Sequence, residues 1–219
     1  SNSVEALERS GQMLARTRGV FFNLNSAHTN DALQALAKQI NPRLAQHRDD
    51  IYMNPELFAR IQAVSRQREQ LELTPEQRRL LDELYRDFVR GGVNLAGAAK
   101  VRFREINAEL SLLATQFDEN LLKEMNQLAL LIKDEEDLAG LPQSVRDSAA
   151  ATAAAEGHAG QWGFTLQRTS WTPFLQLSER RELRKELYSA YMNLCNHDDN
   201  LDNKAIATRM VVLRAERAA

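Results

Sequence analysis

A zinc hydrolase needs two imidazoles one helical turn apart with a carboxylate beside them, so the histidines are the first residues to test. His28, His47, His158 and His197 are followed by Thr29, Arg48, Ala159 and Asp198, and HExxH cannot be written at any of them. None has a glutamate three residues before it, the spacing a di-iron bundle uses. The densest run of reactive side chains is Cys195-Asn196-His197-Asp198-Asp199 with Asp202. It could gather a thiolate, an imidazole and carboxylates at the mouth of a helix, the parts of a nucleophilic cysteine site. Residues two apart on a helix or strand do not readily face each other, however, and acidic caps ahead of a following helix account for the same letters. Asp202 is therefore read as a cap.

The remaining candidates fail on geometry. Glu135-Glu136 are adjacent on a turn and diverge, whereas glycosidase carboxylates must flank a bond. Gly91-Gly92 with Gly97 lacks the GK[ST] of a phosphate loop and reads as a helix stop. Arg78-Arg79, Arg102, Arg104 and Arg180-Arg181 are interleaved with Asp and Glu at helical spacing, the pattern of a salt-bridged surface rather than a nucleic-acid face. No GxSxG elbow is present. No residue of this chain is assigned as catalytic, cofactor-binding or metal-ligating.

The elements that would carry a site are mostly helices. In 219 residues there are only Gly 9 and Pro 5, few turn formers for the length. Lys+Arg 28 against Asp+Glu 30 gives a net charge of −2, with no basic surplus for nucleic acid or anionic lipid. The single cysteine excludes an internal disulfide and favours a reducing, cytoplasmic compartment, with the periplasm left open because the native start is unseen. The longest apolar runs, such as Leu128-Ala129-Leu130-Leu131-Ile132, fall far short of the roughly 18 to 20 residues that cross a bilayer.

Val4, Leu7, Met13, Leu14 and Val20-Phe21-Phe22 predict one helix, broken at Asn23-Leu24-Asn25-Ser26. Asn30 starts the next. Asn41-Pro42, Asn54-Pro55 and Thr74-Pro75 each place Pro behind a capping residue, dividing residues 30–90 into four helices with short turns. Thr74-Pro75-Glu76-Gln77 is also a capping box. Phe103, Ile106, Leu110, Leu113, Phe117 and Leu121 form one apolar stripe along a helix over 98–126, read as architecture. Leu128 to Ile132 and Gly160 to Gln167 predict two paired strands around an Ala-rich helix from Pro142 to Glu156 that Gly157 ends. Ser170-Trp171-Thr172-Pro173 is expected to be a turn, and Ser178 the N-cap of the next helix. A final helix from near Asp202 carries Ile206, Met210 and Leu213 and has no stop signal before Ala219. The fold class is mainly α: a multi-helix lobe with a small two- or three-stranded β element near residues 128–177.

Several stretches are familiar as a set: Val20-Phe21-Phe22-Asn23-Leu24 with Thr29-Asn30, Thr165-Leu166 through Pro173-Phe174-Leu175 to Glu182-Leu183-Arg184-Lys185-Glu186-Leu187-Tyr188, and Asp202-Asn203-Lys204 with Leu213-Arg214. Together they resemble the N-terminal half of the thimet-oligopeptidase-like zinc metallopeptidases. Ile51-Tyr52-Met53-Asn54, Leu57-Phe58-Ala59-Arg60-Ile61, Leu73 to Leu80 and Tyr85-Arg86-Asp87-Phe88 are similar to the bacterial peptidyl-dipeptidase (dipeptidyl carboxypeptidase) branch of that family.

The resemblance implies a mostly helical ellipsoid with two lobes around a deep channel. Residues 1–3 then read as the scar of an expression tag, and 4–219 as the N-terminal, non-catalytic lobe, ending before the HExxH region. In the intact protein, metal-activated water would attack a peptide carbonyl with a Glu as general base, releasing C-terminal dipeptides from oligopeptides. Zinc and its ligands would lie outside this chain, which alone is expected to be inactive. Its partners would be short unstructured peptides and its own missing catalytic lobe, with neither nucleic acid nor membrane among them. The final helix would expose Ile206, Met210 and Leu213 for want of that lobe. The alternative from a different class is a complete, non-enzymatic helical module that binds a protein or peptide.

Overall fold

The computed structural model describes the backbone of residues 2–218 and side chains from Val4 to Ala218. The tag scar expected at 1–3 therefore falls, except for the backbone of residues 2 and 3, outside the described residues. Contacts divide the chain into two compact units, one running to Thr115 and resuming at Val212, the other spanning Gln116–Val211.

The first unit is all helical. It contains α1 (Asn2–Arg9), α2 (Gln12–Ala27), α3 (Asp31–Tyr52), α4 (Pro55–Arg66), α5 (Pro75–Arg90) and the first part of α6 (Gly97–Asn126). Local chemistry sets three of the starts. The side chains of Asn30, Asn54 and Thr74 accept from the backbone N–H of Leu33, Leu57 and Gln77, each closing an otherwise open first turn. At Thr74 the box is complete, with the Gln77 amide oxygen accepting from Thr74 N at 3.1 Å. α5 stops at the Gly91-Gly92 pair, as expected.

The core of this unit is Val4, Phe58, Ile61, Leu81, Leu84 and Phe88. Phe58 and Phe88 stack at 5.9 Å, flanked by Tyr85 and Tyr52. Polar contacts hold α6 to α3: Asn107 donates to the buried Asp49 at 2.8 Å, and Arg104 pairs with Asp50 at 2.7 Å. Burial raises the Asp49 carboxyl above its ordinary range, an effect that the Asn107 amide opposes.

Two expected boundaries in this unit move. The predicted helix over Val4 to Phe22 breaks early, at Gly11, which adopts φ 68° and lets α1 end and α2 begin. The helix then continues through Asn23-Ser26 to Ala27. Asn41-Pro42 starts nothing: Pro42 lies inside α3, because the Asn41 amide donates to Thr115 Oγ1 at 2.8 Å instead of capping. Residues 30–90 thus hold three helices, not four.

The second unit contains the rest of α6, β1 (Leu128–Ile132), α7 (Gln143–Ala155), β2 (Trp162–Thr165), α8 (Arg168–Leu177), α9 (Arg181–Met192) and the start of α10 (Lys204–Ala218). The two strands pair as predicted, and the structure makes the pairing antiparallel, with Ile132 opposite Trp162, Leu130 opposite Phe164 and a register shift between Leu128 and Leu130. α7 covers the sheet. A Cβ on Gly163 would meet Leu128 Cδ2 at 2.6 Å and the Ala153 backbone at 3.3 Å, so only glycine permits this approach. Leu130, Ile132, Leu138, Phe164, Phe174 and Leu187 form the core.

Here too some expectations fail for tertiary reasons. Ser170-Trp171-Thr172-Pro173 is not a turn but part of α8, held by Trp171 stacked on Tyr191 at 4.1 Å and by Phe174 against Phe164 at 4.6 Å. Ser178 does not cap α9. Its hydroxyl accepts from Arg180 N, its carbonyl takes the Arg184 guanidinium, and the helix begins three residues later. Ile206 and Leu213 on α10 are buried and Met210 is half-buried, so the large apolar residues this helix exposes are Val211 and Val212 instead. The α6 stripe is architectural but incomplete: Ile106 and Leu110 are buried, while Phe103, Leu113, Phe117 and Leu121 are half-buried.

Candidate functional site

The reactive run from Cys195 to Asp202 lies wholly in the second unit, in the loop that links α9 to α10. Two non-glycine residues there are left-handed, Cys195 at φ 53° and Asp198 at φ 56°. Such conformations cost free energy and persist where surrounding bonds over-determine them. Those bonds come from three side chains. Glu124, near the end of α6, accepts from Cys195 N through Oε2 at 2.6 Å and meets His197 Nε2 through Oε1 at 2.8 Å. Asn203 donates to Phe117 O and accepts from the Asn120 amide at 3.0 Å, both asparagines being buried. Asp202 accepts from Asp198 N and Lys204 N, each at 2.8 Å.

This geometry rules out a cysteine–histidine pair. His197 faces Glu124 rather than the thiol. Burial, and then the adjacent Glu124 carboxylate, push the Cys195 thiol up to about 12, so it carries no thiolate at neutral pH. The carboxylates are occupied as well. Asp199 accepts from Leu201 N, and Lys204 Nζ lies 2.6 Å from Asp198 and 3.2 Å from Asp202. The Lys204 N–H, followed by that of Asp198 and the Lys204 ammonium, holds the Asp202 carboxyl below its usual range. Asp202 thus shapes the turn into α10, the capping role its position suggests.

Among the described residues no group of three or more His, Cys, Asp or Glu converges to hold a metal ion. Glu135 and Glu136 lie on a 3-10 turn, Glu135 toward Arg146 at 3.8 Å, and do not flank a common space. The arginines single out carboxylates: Arg78 with Glu69, Arg79 with Glu83, Arg102 with Glu105 and Glu216, and Arg180 with Asp137. A cleft of about 270 Å³ in the first unit is lined by Val4, Val64, Leu73 and Leu80, with Glu5 and Glu72 as its charged groups. It brings together no acid–base pair. Among the described residues no helix is long and apolar enough to cross a membrane.

What the sequence reading missed is the anchor, Glu124. It lies three residues beyond Leu121, the last position of the α6 stripe, and nothing in its spacing couples it to a loop seventy residues on. Asn203, directly ahead of α10, was the available signal that this loop is built rather than loose.

No family model matches the chain. Individual relatives do, end to end. The dipeptidyl carboxypeptidase of Escherichia coli (strain K12) is 37% identical over 218 residues, which cover 100% of this chain and 32% of that protein. The probable cytosolic oligopeptidase A of Arabidopsis thaliana is 28% identical, over 98% of this chain and 31% of its own length. Oligopeptidase A of Haemophilus influenzae is also 28% identical, over 99% and 32% respectively. The chain thus spans about a third of the length of the curated relatives it matches. With a helical architecture around a two-stranded sheet, the chain is homologous along its whole length to part of dipeptidyl carboxypeptidase and oligopeptidase A, relatives of the thimet-oligopeptidase family.

Proposed function

We propose that these residues form the N-terminal, channel-wall region of a zinc metallopeptidase that hydrolyses short oligopeptides and releases dipeptides from their C-termini. In this reading the region selects substrates by size, admitting unstructured peptides to a channel and keeping folded proteins away. Zinc, its ligands and the general base belong to the remainder of a longer protein, and the working compartment is the cytoplasm. The observation that carries the reading is the match at 37% identity over the full chain to 32% of a dipeptidyl carboxypeptidase.

The test compares two proteins on an internally quenched peptide, with and without added zinc. The purified 219-residue chain is expected to be inactive. The longer product of the same gene is expected to cleave, to release dipeptides from the C-terminal end, and to lose activity on chelation. Zinc-dependent cleavage by the 219-residue chain, or a longer product with no peptidase activity, would overturn the proposal.

A further inference from the structure

α2 carries an apolar seam that the described residues leave uncovered. Met13, Thr17, Val20, Leu24 and Ala27 are spaced 4, 3, 4 and 3, the a/d repeat of a helix that packs on another helix. All five are exposed, Met13 at 83%, Val20 at 64% and Leu24 at 52%. The helix has no buried residue, and Phe21, Phe22 and Asn25 on another side are only half-buried. A 16-residue helix gains little from propensity alone in water, so a regular seam on its free side calls for a partner. Charge narrows the choice. α2 contains Arg16 and Arg18 and no acidic residue, and among the described residues neither arginine has an ion-pair partner. Arg16 occupies a g position, beside the seam, where coiled-coil helices set partner choice by charge.

We infer that the Met13-Val20-Leu24 seam is a docking surface for an amphipathic helix with carboxylates along its flank, supplied by the part of the longer protein outside these 219 residues. A second copy fits less well, since its own α2 brings two more arginines and no carboxylate. The relatives leave room for such a helix, because the matched region is 32% of their length. The inference rests on the proposed function for the existence of that remainder.

The test places a single reporter on the seam. Cys195 is the one cysteine of these 219 residues and is buried, so Val20→Cys supplies their reactive thiol, and labelling is read at position 20 itself by peptide mass spectrometry. Maleimide labelling of that thiol is compared in the 219-residue chain and in the longer gene product. Labelling is expected to be fast in the short chain and slower by roughly ten-fold or more in the longer protein. Adding Arg16→Glu to the longer protein should restore much of the rate, whereas Arg16→Lys should not. Equal rates in the two proteins would overturn the inference. So would protection in the short chain that grows with its concentration, the mark of a second copy, or protection that appears only with anionic phospholipid vesicles. Peptidase activity separates the two claims: a longer protein that cleaves peptides yet labels fast refutes the docking surface alone. One that is protected but inactive refutes the peptidase reading and leaves the surface standing.

Discussion

The two units solve the same problem, ending helices without orphaned backbone groups, in opposite ways. In the first, the residue ahead of the helix does it locally: Asn30, Asn54 and Thr74 each accept from an N–H three residues on. In the second, the residues ahead of α7, α8 and α9 are Pro142, Gln167 and Arg180, and none makes a side-chain cap. Distant side chains tie down the connections instead. Arg180 donates to the carbonyl of Glu136, 44 residues away, and Glu124 takes the Cys195 N–H, 71 residues away. Helix boundaries in the first unit follow mainly from neighbours in sequence, whereas in the second the connections before α9 and α10 also draw on partners tens of residues away.

That contrast predicts where damage is greatest. In the first unit the apolar core should dominate. Phe88, fully buried between Tyr52 and Phe58, should cost about 3–5 kcal/mol when cut to alanine, read as a drop in the urea midpoint. A loss below that range would mean the aromatic cluster is not what holds these helices. In the second unit a single polar side chain should matter nearly as much. Glu124→Ala leaves the Cys195 N–H without its acceptor and should cost about 1–3 kcal/mol, with Cys195 becoming faster to react with a disulfide reagent. Unchanged thiol kinetics would show that the loop does not depend on its anchor.

A local cap should be worth less. Thr74→Ala should destabilise by about 1 kcal/mol in the same melt. The smallest effect concerns pH. Because the folded protein holds the Asp202 carboxyl below its ordinary value of 3.8, the ionised group adds stability above that value, and the contribution fades as pH falls through the lower folded one. Asp202→Asn should therefore lower stability at pH 6 and leave it little changed at pH 2, making the acid side of the stability curve flatter than in the parent chain. Parallel curves for the two proteins would remove Asp202 as a contributor.

The same contrast explains how much could be read in advance. The Asn-Pro and Thr-Pro starts at 54–55 and 74–75 were legible because caps obey short-range rules. Asn41-Pro42 has the same letters, yet its amide is committed to Thr115, seventy-four residues away. The strand pair was legible from its apolar runs and bounding turns, while α8 was not, since Pro173 signals a break that the Trp171–Tyr191 stack overrides. For the candidate site, the reactive letters at 195–202 were visible and so was the cap role of Asp202. Glu124, which decides that Cys195 and His197 do not meet, was invisible because its partners are set only by the fold.

Gly163 leads to a genetic consequence. The sheet and α7 approach so closely there that Leu128, Ala153 and position 163 share one fixed allotment of space. Saturating position 163 in the parent background should return glycine almost alone. Combined with Leu128→Ala, which frees the space that Leu128 Cδ2 occupies, the same library should begin to recover alanine and serine. The three positions should behave as linked alleles, with second-site suppression running from one strand to the other.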